Sequence, residues 1–239
     1  MGGFECIDTD ALVNNFLAMI LQQGGTYLTD DGKVDFTSDE AVTAMKELMS
    51  MVEDGECSLE NLSAGEYNYN DVYQDKAYMA SVGTWAIGEG TDTYDLTYGE
   101  DFEYVAVPQY GDTLAFTSES GWGLVVPNKA KDTDASWKFV EFFTQPENLV
   151  EHNIACNQLP PRKDMLEDET YLEAMSNIDF ILDILPYGQW RGPINASAMN
   201  DVLNKTFTDL CQEENPDVKS ALQQMSDEIN ETCLIGYSQ

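Results

Sequence analysis

The chain has 239 residues, 43% of them hydrophobic, and a formal net charge of −33 from 44 acidic against 11 basic side chains. That length and apolar content provide for one large domain or two small lobes with a packed core, which excludes a wholly disordered chain. The charge argues against nucleic acid or an anionic membrane as partner, because phosphate would be repelled, and it reads as a solvated acidic surface rather than a cation site. Cys6, Cys57, Cys156, Cys211 and Cys233 show neither CxxC nor Cys/His metal spacing, so no zinc, thioredoxin-like chemistry or other cofactor is expected. Their odd number leaves at least one unpaired; a dense disulfide scaffold is excluded, while one or two bridges remain open for an exported chain. The sequence has no 18-residue apolar run, and its first 20 residues lack a basic start and cleavage site, so the chain as given is expected to carry no export signal of its own.

In chain order, Leu12, Phe16, Ile20 and Leu21 recur at helical spacing, and the pattern stops at Gly24-Gly25, a helix C-terminal signal. Thr26 to Phe36 reads as a small hairpin turning at Asp31-Gly32, and its acidic residues do not fit calcium-loop spacing. Thr37 and Glu40 form a capping box before a helix with the apolar stripe Val42, Met45, Leu48, Met49 and Val52, whose methionines are read as core rather than as a soft metal site. Cys57 to Asp71 reads as a loop; Tyr67, Tyr69 and Tyr73 are candidates for lining a cleft, with partial burial expected for at least two of them. A polar helix end then runs into an apolar strand stopping at Gly83, Thr84 and Trp85. Gly88 to Asp101 reads as an acidic loop, and Phe102 to Val107 alternates like a strand ending at Pro108.

The stretch from Thr117 to Glu147 is read as one α/β unit. A strand from Trp122 to Val126 is closed by Pro127, and a helix capped by Asp132 or Thr133 carries Trp137, Phe139, Val140, Phe142 and Phe143 on a broad apolar face. Further helices are expected around Tyr171 to Met175, Ile178 to Leu185, Ala198 to Cys211 and Pro216 to Glu231, the last facing inward through Val218, Leu222, Met225 and Ile229.

Six motifs in fixed order carry a resemblance: Asp75 to Met79 followed by Gly83-Thr84-Trp85, then Tyr104 to Pro108, Ser120-Gly121-Trp122-Gly123, the Ala135 to Phe143 helix, and Leu159-Pro160-Pro161-Arg162. Together they resemble the C-terminal part of the extracellular solute-binding proteins of ABC importers, the family of maltose- and oligosaccharide-binding proteins. The resemblance implies an α/β, type II periplasmic-binding-protein-like fold, incomplete and mostly the C-terminal lobe with terminal helices. It assigns residues 1–112 and 157–239 to the second lobe and 113–156 to a hinge-crossing segment of the first. It also implies sugar capture between two lobes, delivery to the permease subunits of an ABC transporter, and an extracellular or periplasmic location with a lipoprotein anchor in the full-length protein.

Sugar rings stack their C–H faces on aromatic planes and need polar partners for their hydroxyls, so a sugar site combines both kinds of side chain. Two places do so: Gly83-Thr84-Trp85 with Glu89 nearby, and Tyr187-Gly188-Gln189-Trp190-Arg191 before Pro193. On the resemblance, Trp85 occupies the ligand-stacking position, Ser120, Gly121 and Trp122 lie where the chain recrosses the hinge, and Tyr187, Gln189, Trp190 and Arg191 form a ligand-side loop. In the following helix, Met199 and Asn200 replace the aromatic pair of maltose-binding proteins, which argues against maltodextrin. Trp85, Trp122 and Trp190 each have core packing as the alternative; Trp137 is expected in the core, and the alternative for Arg191 is neutralisation of nearby carboxylates. His152 is the sole histidine, and no GxSxG, Walker or HExxH pattern is present. Solute binding is therefore expected rather than catalysis, with a polyol or sugar phosphate as the other ligand class and a carbohydrate-active enzyme as the reading from another class.

Overall fold

The computed structural model describes residues 2–117, 123–175 and 178–235. In chain order these are β1 (Gly2–Glu5), α1 (Ala11–Gln22), α2 (Asp39–Glu53), α3 (Glu60–Ala64), α4 (Tyr69–Tyr73), β2 (Ala77–Ala80), α5 (Ala86–Asp92) and β3 (Phe116–Thr117). Then come α6 (Thr133–Phe143), α7 (Pro146–Ala155), α8 (Glu169–Ala174), α9 (Ile178–Ile184), β4 (Gly188–Gln189), α10 (Ala196–Gln212) and α11 (Val218–Thr232). They group into two compact units, one comprising Met1–Val82, Val107–Glu119 and Leu185–Gln239, the other Gly83–Ala106 and Ser120–Ile184. These boundaries follow internal packing, whereas the lobe division at 112/113 and 156/157 follows the family resemblance.

The first unit is built on α1, α2, α10 and α11. Leu12, Phe16 and Ile20 are fully buried, as their spacing predicts, and α1 stops where Gly24 takes a left-handed φ of 81° and its N–H bonds to Leu21 O at 2.9 Å. The hairpin forms as a single antiparallel bridge, Leu28 to Val34, turning through Gly32 at φ 77°. Its backbone is completed by α11: Asn230 accepts from Val34 N and donates to Val34 O, both at 2.8 Å, and Ser226 Oγ accepts from Phe36 N at 2.9 Å. Buried backbone groups that lack a strand partner must find such side-chain partners. Phe16 and Phe36 pack with ring centroids 5.3 Å apart, and Met45, Leu203, Phe207, Leu222 and Ile229 fill the same core.

Several expected boundaries move. The cap of α2 is Ser38, accepting from Ala41 N at 3.1 Å, because the Thr37 hydroxyl already donates to Asp35 at 2.7 Å. The cap of α11 is Asp217, accepting from Ser220 N at 3.1 Å, so the helix starts two residues beyond Pro216. The expected loop after Cys57 contains α3 and α4, and Tyr69 and Tyr73 are buried while Tyr67 is 40% exposed. Among the described residues two parallel pairs make the sheet structure: β1 with β2, with Phe4 opposite Met79, and β3 with β4, with Thr117 opposite Gln189.

In the second unit the core is Leu149 and Val150 of α7 with Met165, Tyr171, Met175 and Ile178. The acidic loop expected from Gly88 instead begins inside α5. Phe102 to Val107 is not a strand; it holds only a bridge between Tyr98 and Phe102, and Val105 is 72% exposed. Nor do Gly123 to Val126 form a strand, with Val125 82% exposed, while Trp122 lies outside the described residues. Alternating apolar residues favour a strand only when another strand satisfies the backbone, and neither segment has one among the described residues. The helix α6 forms as expected, with Asp132 accepting from Ala135 N at 2.9 Å, but it buries no side chain. Trp137, expected in the core, is 54% exposed, because nothing among the described residues covers its face.

Candidate functional site

Of the residues singled out in the first unit, Tyr187 lies just before β4, Gln189 within it, and Trp190 and Arg191 just after it. Parallel pairing sets Gln189 opposite Thr117, whose hydroxyl donates to Asn14 O of α1 at 3.2 Å. Tyr187, Gln189 and Trp190 face outward, Trp190 at 61% exposure, while its carbonyl accepts from Tyr27 Oη at 3.5 Å. Arg191 turns the other way. It is 2% exposed and its Nη2 donates to Asn200 Oδ1 at 2.8 Å; Asn200 Nδ2 in turn donates to Asp10 Oδ1 at 2.7 Å. Immediately after Arg191 the chain passes through Gly192 at φ 110°, a backbone conformation that favours glycine, with Leu28 packed against the position.

Sequence reasoning missed Asp10, Asn14 and Thr117 as neighbours of this loop. Asp10 and Asn14 are four residues apart at the start of α1, spacing that puts two polar side chains on one helical side and is their only local signal. Thr117 could be found only through strand pairing. Close by in the chain, Asp8 closes the first turn of α1, its Oδ1 accepting from Asp10 N at 3.0 Å and Ala11 N at 2.7 Å, its Oδ2 from Asn68 N at 3.1 Å. Burial pushes the Asp8 carboxyl above its ordinary range, with those N–H groups opposing the rise. Burial likewise raises Glu5, against an N–H from Ser58.

In the second unit Gly83, Thr84 and Trp85 form the turn into α5. The indole folds back over the glycine: a Cβ at position 83 would lie 2.6 Å from Trp85 Nε1, so any larger residue would push the ring away. The turn is held from two sides, by Tyr104 Oη donating to Gly83 O at 2.9 Å and Asn157 Nδ2 donating to Thr84 O at 2.7 Å. Trp85 is half-buried. Ser120, Gly121 and Trp122 lie outside the described residues.

Two further features bear on chemistry. His152 packs its ring edge-on to Phe143, with centroids 5.2 Å apart, and among the described residues no group of three His, Cys, Asp or Glu could hold a metal. An open groove of about 590 Å³ runs along α6, lined by Leu124, Val125, Val126, Ala135, Phe139 and Val140 among others.

Residues 7–176 match the family described as bacterial extracellular solute-binding protein. Among curated proteins no sequence matches significantly. Solved structures of similar fold include an ABC transporter solute-binding protein from Thermotoga lettingae bound with α-D-tagatose, at TM-score 0.79 and 19% identity, covering 97% of this chain and 59% of that one. The maltose/maltodextrin-binding domain MalE from Bdellovibrio bacteriovorus, bound to maltotriose, aligns at TM-score 0.75 and 15% identity over 95% of this chain and 59% of that one. UgpB from Mycobacterium tuberculosis, in complex with glycerophosphocholine, aligns at TM-score 0.67 and 16% identity over 95% and 56%. The chain thus spans somewhat under two thirds of the length of these relatives. Its sequence match and its partial periplasmic-binding-protein-like fold agree, and the chain belongs to the bacterial extracellular solute-binding proteins.

Proposed function

We propose that the chain is part of the substrate-binding component of a carbohydrate ABC importer, capturing a sugar or oligosaccharide, with Trp85, Thr84, Gly83, Tyr187, Gln189 and Trp190 as contact residues. The observation that carries this reading is the Trp190 loop, where an aromatic ring 61% exposed stands beside the outward-facing amide of Gln189. An aromatic plane with an adjacent amide suits a sugar's apolar face and hydroxyl edge together. In the second unit Trp85, half-buried at the turn into α5, is a separate candidate for stacking. Arg191 acts from behind, bracing the loop through Asn200 rather than reaching a ligand. Ligands named for the structural neighbours, tagatose and maltotriose, are of the same chemical class. Binding proceeds without covalent chemistry, and the full-length protein works outside the cell, anchored as a lipoprotein and delivering its ligand to the permease.

Glycerophosphocholine in UgpB favours a second reading, a small polar solute such as a polyol or sugar phosphate. A net charge of −33 weighs against the phosphate form, since its long-range field disfavours an anion. We further propose that residues 113–156 belong to the first lobe of the complete receptor and residues 1–112 and 157–239 to the second. The uncovered face of α6 supports this, as the place where sheet from the remaining part of the receptor would pack.

The test is calorimetry of the full-length protein against monosaccharides, oligosaccharides, polyols and sugar phosphates. A sugar should bind without being converted, and Trp85→Ala should weaken it by about 1 to 4 kcal/mol, the range of a buried aromatic contact. Gln189→Ala should reorder the sugars by about 0.5 to 3 kcal/mol, the cost of a lost hydrogen bond. Binding of no carbohydrate, or unchanged affinities in both folded variants, would overturn the assignment.

A further inference from the structure

We propose that Cys6 and Cys57 form a disulfide when the chain meets an oxidised thiol couple, tying β1 to the turn that follows α2. Both side chains are buried, at 1% and 5% exposure, with their Sγ atoms 3.4 Å apart across 51 residues of sequence. Closing to a bond requires an approach of about 1.4 Å, within the reach of small χ adjustments. The approach is held in register by the backbone. Gly3 N donates to Glu56 O at 3.3 Å, Cys57 Sγ donates to Phe4 O at 2.7 Å, and Ser58 N donates to Glu5 Oε2 at 3.3 Å. Residues 3 to 6 and 56 to 58 therefore run side by side, and the two thiols are the pair that meets. Proteins of this family work outside the cell, where disulfides form and persist. All five cysteines, Cys6 and Cys57 included, are free thiols in this structure.

The step balances with a small-molecule disulfide as oxidant. One protein thiolate attacks a sulfur of oxidised glutathione and expels glutathione thiolate, giving a mixed disulfide; the second protein thiolate attacks the protein sulfur of that bond and expels the other glutathione. Two protein thiols lose their protons to the two departing thiolates, and one disulfide replaces another. In the folded chain the hydrogen bond between the two thiols raises Cys6 and lowers Cys57, which marks Cys57 as the attacking thiolate, while burial limits the oxidant's access to either sulfur. The bridge would enclose a loop of about fifty residues and so restrict mainly the unfolded chain. It depends on no ligand, and its outcome is separate from that of the sugar assignment.

The test has two arms, incubation of the folded protein and refolding from denaturant, each in a glutathione redox buffer, followed by acid quench, alkylation in denaturant and peptide mapping. The expected result is a single linked pair of peptides carrying Cys6 and Cys57, released by reductant. The thermal midpoint should fall by on the order of 10 °C on reduction, and Cys57→Ser should abolish that redox dependence. Mapping is read on the unaltered chain, so it holds whether or not the variant folds. Full alkylation of both thiols after both arms, or Cys6 linked to any other cysteine, would overturn the proposal.

Discussion

Helices α2 and α6 carry the same local signals and meet different fates. Each opens with a side-chain cap, Ser38 to Ala41 N and Asp132 to Ala135 N, and each concentrates its apolar residues on one face. On α2 that face enters the core, with Ala41, Ala44, Met45 and Leu48 buried; on α6 Trp137, Phe139 and Phe142 stand 54 to 61% exposed. Amphipathic spacing specifies that a face exists, whereas burial requires a second surface that arrives from elsewhere. The contrast also divides the chain by what can hold it together: the first unit has a closed core, while α6 leaves an apolar surface of the kind that drives association.

The largest expected difference is in stability. Phe207→Ala, in the closed core, should cost about 3 to 5 kcal/mol, and Phe139→Ala on α6 should stay within about 0.5 kcal/mol. Urea denaturation followed by helical circular dichroism measures both; equal losses would mean that α6 is packed in solution. Next comes association through the α6 face. The 239-residue chain should self-associate, and Phe139→Asp combined with Phe142→Asp should weaken that at least tenfold, about 1.4 kcal/mol, by sedimentation. A monomer at every concentration would show that the face is covered from within the chain.

Smaller effects come from the caps. Ser38→Ala should lower global stability by about 1 kcal/mol, because the turn it supports is part of the core. Asp132→Ala should leave global stability unchanged and only speed amide exchange in the first turn of α6. The smallest expected effect is with pH and confined to the first unit. Glu5 and Asp8 are raised by burial, so the native state holds more protons than the unfolded chain between the ordinary carboxyl range and the raised values. Their contribution is therefore favourable in acid and lost as pH rises through that window, so melting temperature should climb as pH falls from neutrality toward the ordinary carboxyl range. Below about pH 4 the sign reverses, since Asp35, lowered by its hydrogen bonds from the Thr37 hydroxyl and N–H, loses stability on protonation. A melting temperature that falls steadily from neutrality into acid would contradict the assignment for Glu5 and Asp8.

Among candidate ligand residues, the features legible in advance were those governed by neighbours in sequence. Trp85 was recognisable as an aromatic in a glycine-flanked motif of the family, and the structure adds that the glycine leaves room for its indole to fold back. Tyr187, Gln189 and Trp190 were recognisable as an aromatic and polar cluster, and they are outward-facing. Arg191 is turned inward, a placement its own neighbours in sequence do not announce. Its inward turn depends on Asn200 and Asp10, which are 9 and 190 residues apart from it and from each other along the chain. Asn14 and Thr117 escaped notice for the same reason.

The sequence by itself determined the capped, periodic helices α1, α2, α6, α10 and α11 with the apolar face of each, the turn at Gly32 and the family to which the order of motifs points, but not the short helices α3, α4 and α5 or α7. Helix hydrogen bonds and side-chain periodicity are local, and a few residues contain all the information they need. Only the tertiary structure decided that Phe102 to Val107 and Gly123 to Val126 are not strands, that Trp137 is exposed, that Arg191 is buried and that Cys6 meets Cys57. Each of these depends on a partner far along the chain or on the lack of one among the described residues, and strand pairing, burial and thiol contact are properties of pairs that no single stretch can carry.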